Sequence, residues 1–246
     1  MEALRVEGLS KNFGGLQVLE DITFTLKPGE RWAIIGPNGA GKTTLINVLS
    51  GVLPPNRGRI EVCGQDVTRS STYERLRLGM ARSFQLNSLF PRLTVQENIL
   101  LALRGKRDVR GQFLQSTAKG DALYLQMQEL LNSVGLWGKR GGLVTELSYG
   151  EQREMEIAMA LASKPKILML DEPSAGLSGA EGSRMVDMIR SVTEGSTLLF
   201  SAHDMDVVFD LADQIMVLFF GRIAAQGTCA EIQCDPMVKE IYLGGD

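Results

Sequence analysis

Gly36-Pro37-Asn38-Gly39-Ala40-Gly41-Lys42-Thr43 decides the fold. Before it, the compact apolar run Trp32 to Ile35 stops at a glycine; after it, Lys42 to Leu49 reads as a helix. The stretch fits GxxxxGK[ST] in the context that motif requires, after a strand and opening a helix. Glycines there let consecutive backbone N–H groups turn inward around phosphate, and the helix N-terminus adds its partial positive charge. Side chains in the turn would obstruct that approach. Lys42 is expected to reach the β- and γ-phosphates of a nucleotide, and the Thr43 hydroxyl to coordinate Mg²⁺. A glycine turn serving structure alone is the weaker reading.

Outward from this loop the chain alternates short apolar runs with helical periodicity. Leu4 to Leu26 holds two alternating runs separated by Gly14-Gly15 and closes on Lys27-Pro28-Gly29-Glu30, which predicts an antiparallel β start ending in a turn. Ile167 to Leu170 and Thr197 to Phe200 are further buried-type strands, with Met185, Met188, Ile189 and Val192 at helical spacing between them. Continuous apolar strands alternating with helices predict a parallel sheet covered on both faces. In the middle, Leu123, Met127, Leu130, Leu131 and Val134 share one helix face, so a helical subdomain is inserted, its stripe serving core packing. Arg104, Lys106, Arg107 and Arg110, broken by Gly105 and Gly111, read as a solvated loop, and Asp235-Pro236 to Gly244 as a short terminal helix. No repeat and no Pro- or Ser-rich linker divides the chain.

Composition removes several function classes. With 26 Lys+Arg against 29 Asp+Glu, the formal charge of -3 lacks the basic surplus that affinity for a phosphate backbone demands, so no nucleic-acid partner is expected. The longest apolar stretches, such as Ile215 to Phe220, are too short to span a bilayer. Cys63, Cys229 and Cys234 form no CxxC pair and the single histidine, His203, has no ligand neighbour at a metal-binding spacing, which disfavours zinc and a disulfide framework. MEALRVEGLS shows no basic segment followed by an apolar h-region, so a cytoplasmic location is expected.

Two further stretches carry chemistry. Ile167-Leu168-Met169-Leu170-Asp171-Glu172 is a strand ending in two carboxylates, at the edge where α/β sheets present their reactive groups. Successive strand residues face opposite ways, so the acids divide the work: Asp171 partners Mg²⁺ directly or through water, and Glu172 turns toward an attacking water as general base. In Leu147-Ser148-Tyr149-Gly150-Glu151-Gln152, Ser148 and Glu151 have capping-box spacing, so a helix starts there. The segment is then either a well-capped helix and nothing more, or a second anion site built from a hydroxyl, a glycine N–H and a helix dipole.

Taken together, the phosphate loop, Gln85 after Phe84, LSYGEQ, LMLDEP and His203 after an apolar strand resemble the nucleotide-binding subunit of an ABC transporter, and the likeness runs from Leu4 to Leu243. The resemblance implies an α/β fold: a P-loop NTPase core with a RecA-like parallel sheet, an N-terminal antiparallel β subdomain and an α-helical subdomain inserted at about 86–164, all in one ABC ATPase domain over 1–246. It implies ATP and Mg²⁺ as cofactors. Phe13 matches the aromatic on which adenine stacks, and the ATP set runs through Gly36, Pro37, Asn38, Gly39, Ala40, Gly41, Lys42, Thr43 and Thr44. Gln85 matches the loop glutamine that senses Mg²⁺ and the membrane partner, joining Thr43 and Asp171 at the metal. Ser148 and Gly150 match the signature that binds the γ-phosphate of ATP held by the opposite subunit, Ser174 to Ser178 the loop that communicates across the dimer, and His203 the γ-phosphate contact. Glu172, His203, Gln85 and Lys42 are thus the implied catalytic set.

Tyr149 replaces the first glycine of LSGGQ and Ser178 stands where aspartate is frequent, while Ser148 and Gly150 remain for the contact in trans. The tyrosine, Arg82-Ser83-Phe84-Gln85, Leu93-Thr94-Val95-Gln96-Glu97-Asn98 and Tyr242-Leu243-Gly244 look similar to the ATPases of branched-chain amino-acid importers, with ATPases of urea, amide and lipopolysaccharide transport as near relatives. The implied partners are a second ATPase subunit, identical or different, two membrane permeases and, through them, a substrate-binding protein, which places the chain on the inner face of the cell membrane. A soluble ABC ATPase without a permease is the rival from another class. A P-loop GTPase or kinase lacks its NKxD motif here, and a non-catalytic module would lack Lys42 or Glu172.

Overall fold

The computed structural model describes residues 2–83, 89–105 and 121–243; Gln85, Lys106, Arg107 and Arg110 lie outside them. Strand β1 (Leu4–Phe13) turns at Gly14-Gly15 into β2 (Leu16–Leu26), the expected hairpin. A turn with Gly29 at φ 83 leads to β3 (Arg31–Ile35), the phosphate loop and α1 (Lys42–Leu49). Then come β4 (Arg57–Val62), β5 (Gln65–Asp66), α2 (Thr72–Arg77), β6 (Met80–Arg82), α3 (Val95–Gly105), α4 (Ala122–Ser133) and α5 (Tyr149–Leu161). The remainder is β7 (Ile167–Asp171), α6 (Gly179–Val192), β8 (Thr197–Ser201), α7 (Met205–Leu211), β9 (Gln214–Phe219), β10 (Arg222–Gly227), α8 (Cys229–Cys234) and α9 (Pro236–Leu243). Arg104 and Gly105, expected in a solvated loop, instead end α3, whose cationic last turn suits the negative end of the helix dipole.

Two sheets form. One is antiparallel, in the order β2-β1-β4-β5; the other, in the order β10-β9-β3-β8-β7-β6, is parallel except for β10 at its edge. The alternation of side chains along each central strand divides the core. Trp32, Ile34, Ile167, Met169 and Leu199 pack toward α1 and the antiparallel sheet, whereas Ala33, Ile35, Leu168, Leu170, Leu198 and Phe200 pack toward α6 and α7. A strand with both faces covered needs an apolar residue at nearly every position, which is why β3, β7 and β8 read as unbroken runs. A third cluster, with Ile99, Met127, Leu131, Val144 and Met155 at its centre, joins α3, α4 and α5 between β6 and β7. Leu123, Met127 and Leu131 are buried there as the periodicity predicts.

Strand order positions the chemistry. β8 lies between β3 and β7, so the phosphate loop after β3, the acids at the end of β7 and the Ser201 to His203 segment after β8 emerge side by side at one sheet edge. The far end of α1 is fixed by a residue with no motif around it. Arg75, 1% exposed, donates to the carbonyls of Val48 at 2.8 Å, Leu49 at 2.5 Å, and Ser70 and Thr68 at 3.2 Å each, closing the α1 C-terminus with a buried cation. Arg75→Met removes all four of these bonds, leaving the Val48 carbonyl only the Gly51 amide, and should lower unfolding free energy by about 3 kcal/mol in urea titration. A loss below about 0.5 kcal/mol would reduce Arg75 to filler.

Candidate nucleotide site

The phosphate loop is shaped by positions that exclude a side chain. A β-carbon on Gly36, at φ 146, would stand 2.1 Å from the Leu218 carbonyl oxygen of β9, and one on Gly41, at φ 106, would meet Leu19 Cδ2 at 2.9 Å and the Val18 carbonyl at 3.1 Å. Those contacts wedge the loop between β2 and β9, and the Gly221 amide donates to the Ala40 carbonyl at 3.1 Å from the β9–β10 turn. Gly39, at φ 80, has open space above it. Helix α1 begins on Gly41 with no side-chain cap, unlike α2, α5 and α8, which carry capping boxes at Ser71, Ser148 and Thr228. Its leading N–H groups therefore present the unneutralised positive end of the helix to an anion.

Lys42 is buried, and its amine donates to the carbonyls of Gly36 at 2.7 Å and Pro37 at 3.1 Å. Burial pulls its pKa below the ordinary lysine value, and the charges of Glu172 and Asp171 oppose that shift, so ammonium and both carboxylates share one field. The Asp171 carboxylate is buried between two donors. Ser201 Oγ donates to Oδ1 at 2.6 Å and Arg82 Nη2 to Oδ2 at 3.1 Å, while another Arg82 nitrogen reaches Asn47 Oδ1 and, at 3.3 Å, Ser50 Oγ of the α1 end. Glu172 leaves the strand in the left-handed region at φ 49, and its amide donates to Ser201 at both the carbonyl, 3.2 Å, and Oγ, 3.0 Å. The two carboxylates take different partners, and Glu172 lies beyond the end of β7 in this left-handed turn, so strand alternation does not set its direction. A non-glycine residue held at positive φ is a form of strain that concentrates at functional positions. Glu172 Oε1 lies 2.7 Å from His203 Nε2, so the chain's single histidine stands beside the proposed base.

The oxygen set offered by the exposed Thr43 hydroxyl and the Asp171 carboxylate is hard and suits Mg²⁺. Phe13 ends β1, is 46% exposed, and carries the Lys11 amine 5.3 Å from its ring centroid. Ser148 and Gly150 stand apart from all of this. The Ser148 hydroxyl accepts from the Glu151 amide at 3.3 Å while Glu151 Oε2 accepts from the Ser148 amide at 2.9 Å, and no bond among the described residues joins either residue to the phosphate loop. The capping box is therefore real, and its exposed position leaves the edge facing outward. Ser201 and Arg82 were not singled out as site residues in the sequence. Each acts through a partner 30 or 89 positions away, and only the strand order brings them together.

A glycine-wedged loop opening an uncapped helix, a buried aspartate and a strained glutamate at the C-terminal edge of a parallel sheet define a P-loop nucleotide hydrolase. Residues 19–175 match the family model of the ABC transporter, and the chain belongs to that family as an ATP-hydrolysing, ATP-binding subunit. It is 35% identical over 250 residues to the high-affinity branched-chain amino acid transport ATP-binding protein LivG of Escherichia coli (strain K12), covering 98% of this chain and 97% of that protein. It is 33% identical to the lipopolysaccharide export system ATP-binding protein LptB of Haemophilus influenzae, covering 99% and 98%. The ADP conformation of an ATP-binding cassette of an ABC transporter superposes with a TM-score of 0.86 at 30% identity, covering 99% of each chain.

The loop geometry predicts the outcome of Lys42→Ala. Equilibrium binding of ATP should weaken by at least about a hundredfold, the loss of a charge-assisted contact to phosphate in a partly desolvated site. Affinity equal to wild type would contradict the assignment of Gly36 to Thr44 as the phosphate cradle.

Proposed function

We propose that this chain energises import of branched-chain or other hydrophobic amino acids by hydrolysing ATP in a site shared between two subunits. The observation that carries the hydrolytic reading is the placement of Glu172, 2.7 Å from His203, at the sheet edge where the uncapped α1 and Lys42 would hold the phosphates. One subunit contributes Phe13 to adenine, the 36–44 loop to the phosphates, and Glu172 and His203 to the reacting end. The other contributes the outward-facing Ser148 and Gly150, to the same γ-phosphate. Thr43 and Asp171 would hold Mg²⁺, with Gln85, and the ion's charge would neutralise the β- and γ-oxygens.

In the reaction Glu172 orients a water in line with the leaving ADP. As the oxygen–phosphorus bond forms, the carboxylate accepts the water's proton. The bond from the γ-phosphorus to the bridging oxygen breaks and its electrons pass to ADP. Lys42 and the backbone N–H groups stabilise the charge that develops, in a site closed to bulk water by the second subunit. His203 holds the Glu172 rotamer and is within reach of the γ-phosphate. Loss of that bridging phosphate frees the subunits to part.

No helix of the described residues is long and apolar enough to cross a membrane, so we assign membrane work to two permease subunits, with the chain cytoplasmic and peripheral on the inner face. A cavity of about 310 Å³, lined by Tyr73, Leu76, Met80, Ala102 and Met159 at the junction of α2, β6, α3 and α5, is apolar enough to seat a permease segment. That junction is where we place the hinge of the helical subdomain, at about 86–164 of a single ABC ATPase domain. The cargo assignment draws on the full-length likeness to LivG. Lipopolysaccharide transport is a second reading, favoured by the likeness to LptB. Deleting the gene and measuring uptake of labelled leucine separates them: lost uptake supports import, and unchanged uptake with a defective cell envelope supports the other.

Glu172→Gln removes the proton acceptor and keeps the size of the side chain. ATP binding should persist, sedimentation should show an ATP-trapped dimer, and turnover should fall by about 10²- to 10⁴-fold. Unchanged steady-state hydrolysis would sink the general-base assignment. For His203→Ala, nucleotide affinity should hold while kcat drops by about 10²-fold or more; an unaltered rate would leave His203 without a role at the γ-phosphate.

A further inference from the structure

Tyr149, which stands where the commonest signature has glycine, reaches out of its own motif. It opens α5 between Ser148 and Gly150, and its hydroxyl donates to the Ala175 carbonyl at 3.2 Å. The same oxygen accepts from Arg153 Nη2 at 3.1 Å, so its donor and one acceptor site are both used. The ring is close enough to Gly176 that a β-carbon there would stand 3.2 Å from Tyr149 Cε1, and Gly176 has φ 80. Beside it, a β-carbon on Gly150 would meet Leu177 Cδ2 at 3.5 Å. The head of α5 and the segment 174–177 therefore meet through one hydrogen bond and two close apolar approaches.

Ala175 connects this contact to the base. Its amide donates to the Glu172 carbonyl at 3.1 Å, so one residue is held by Tyr149 through its carbonyl and holds Glu172 through its N–H. Glu172 is also the residue in the left-handed region, where the backbone returns to relaxed values unless its neighbours restrain it. On the other side, the Arg153 guanidinium is fixed by Glu156 at 3.0 Å, a pair with side chains 10% and 3% exposed, and Glu156 lines the cavity beside α2 and α3. Arg153 Nε is buried and has no hydrogen-bond partner among the described residues, so the bonds of this arginine are carried by its two outer nitrogens.

We propose that Tyr149 is a positioning residue that clasps the loop after Glu172 to the head of α5, so that the edge a subunit offers to its partner and the loop carrying its own base move as one body. Arg153 and Glu156 extend the clasp to the wall of the α2–α3–α5 cavity. The inference rests on the proposed roles of Glu172 and of the Ser148 to Gly150 edge. It makes the two shared sites mechanically dependent: whatever shifts the edge in one site shifts the base in the other.

The test is Tyr149→Phe, which keeps the ring on Gly176 and removes only the hydroxyl. Amide hydrogen exchange at 174–177 should quicken by about three- to tenfold, the worth of one such hydrogen bond, while exchange in α1 and β3 stays as in the parent. ATP affinity of the monomer should not change, because no bond among the described residues joins Tyr149 to the 36–44 loop. In the Glu172→Gln background the ATP-driven dimer should weaken by about three- to tenfold, and in the otherwise wild-type chain kcat should fall with KM little changed and the Hill coefficient for ATP should move toward one. Exchange at 174–177 equal to the parent overturns the clasp. Faster exchange with unaltered dimerisation, kcat and cooperativity overturns the coupling. If Glu172→Gln with Tyr149 intact forms no dimer in ATP, the shared-site reading has failed instead, and the exchange result still decides the clasp.

Discussion

Gly36 is held so tightly against β9 that any β-carbon would collide with the Leu218 carbonyl oxygen at 2.1 Å, and that one steric limit organises the molecule. With the loop wedged there, and its Ala40 carbonyl tied to Gly221 of the β9–β10 turn, α1 must start on a left-handed glycine and cannot carry a side-chain cap. The uncapped helix end is then free for phosphate. The other parts of the site are arranged around this fixed point: β8 lies next to β3 and β7 next to β8 in the parallel sheet, so their C-terminal ends emerge at the same edge.

The electrostatics follow from the same arrangement. Lys42, Asp171 and Glu172 converge at one sheet edge, where burial pulls the Lys42 pKa down and the charges of Glu172 and Asp171 oppose that shift. The Asp171 carboxylate is stabilised by Arg82 and by Ser201, and Ser201 also fixes the Glu172 amide, so one buried hydroxyl ties together the acid proposed to hold the metal and the proposed base. Asp171, Arg82 and Ser201 each make more than one bond in this network, so the loss of any one bond is felt by the others. Arg82 also lines the cavity assigned to the permease, which places a direct contact to Asp171 within its wall.

Much of this was legible in the sequence where chemistry and local conformation coincide. The phosphate loop, the span of α1, the β1–β2 hairpin, the strand ending at Asp171 and the capping box at Ser148 all depend on residues a few positions apart, and the structure has them as expected. The likeness across the whole chain gave the fold, and family membership bears it out. What the sequence withheld depends on distant pairs. Arg75 carries no motif in the sequence, because its partners, the α1 carbonyls of Val48 and Leu49, are 27 and 26 positions away. Tyr149 reads as a departure from a pattern until Ala175 is beside it, and Arg104 reads as a loop cation until α3 is seen to extend to Gly105.

The central claim is that a complete catalytic site needs two subunits, because no bond among the described residues joins the phosphate loop to the Ser148 to Gly150 edge of the same chain. Mixing two inactive variants measures this directly: a Ser148→Arg chain, with an intact loop and a blocked edge, and a Lys42→Ala chain, with the reverse. The account predicts that each alone hydrolyses ATP at background rate and that the mixture regains a substantial part of wild-type turnover, since one composite site per mixed dimer is whole. A mixture as inactive as its components, or a Ser148→Arg chain as active as wild type by itself, would contradict it.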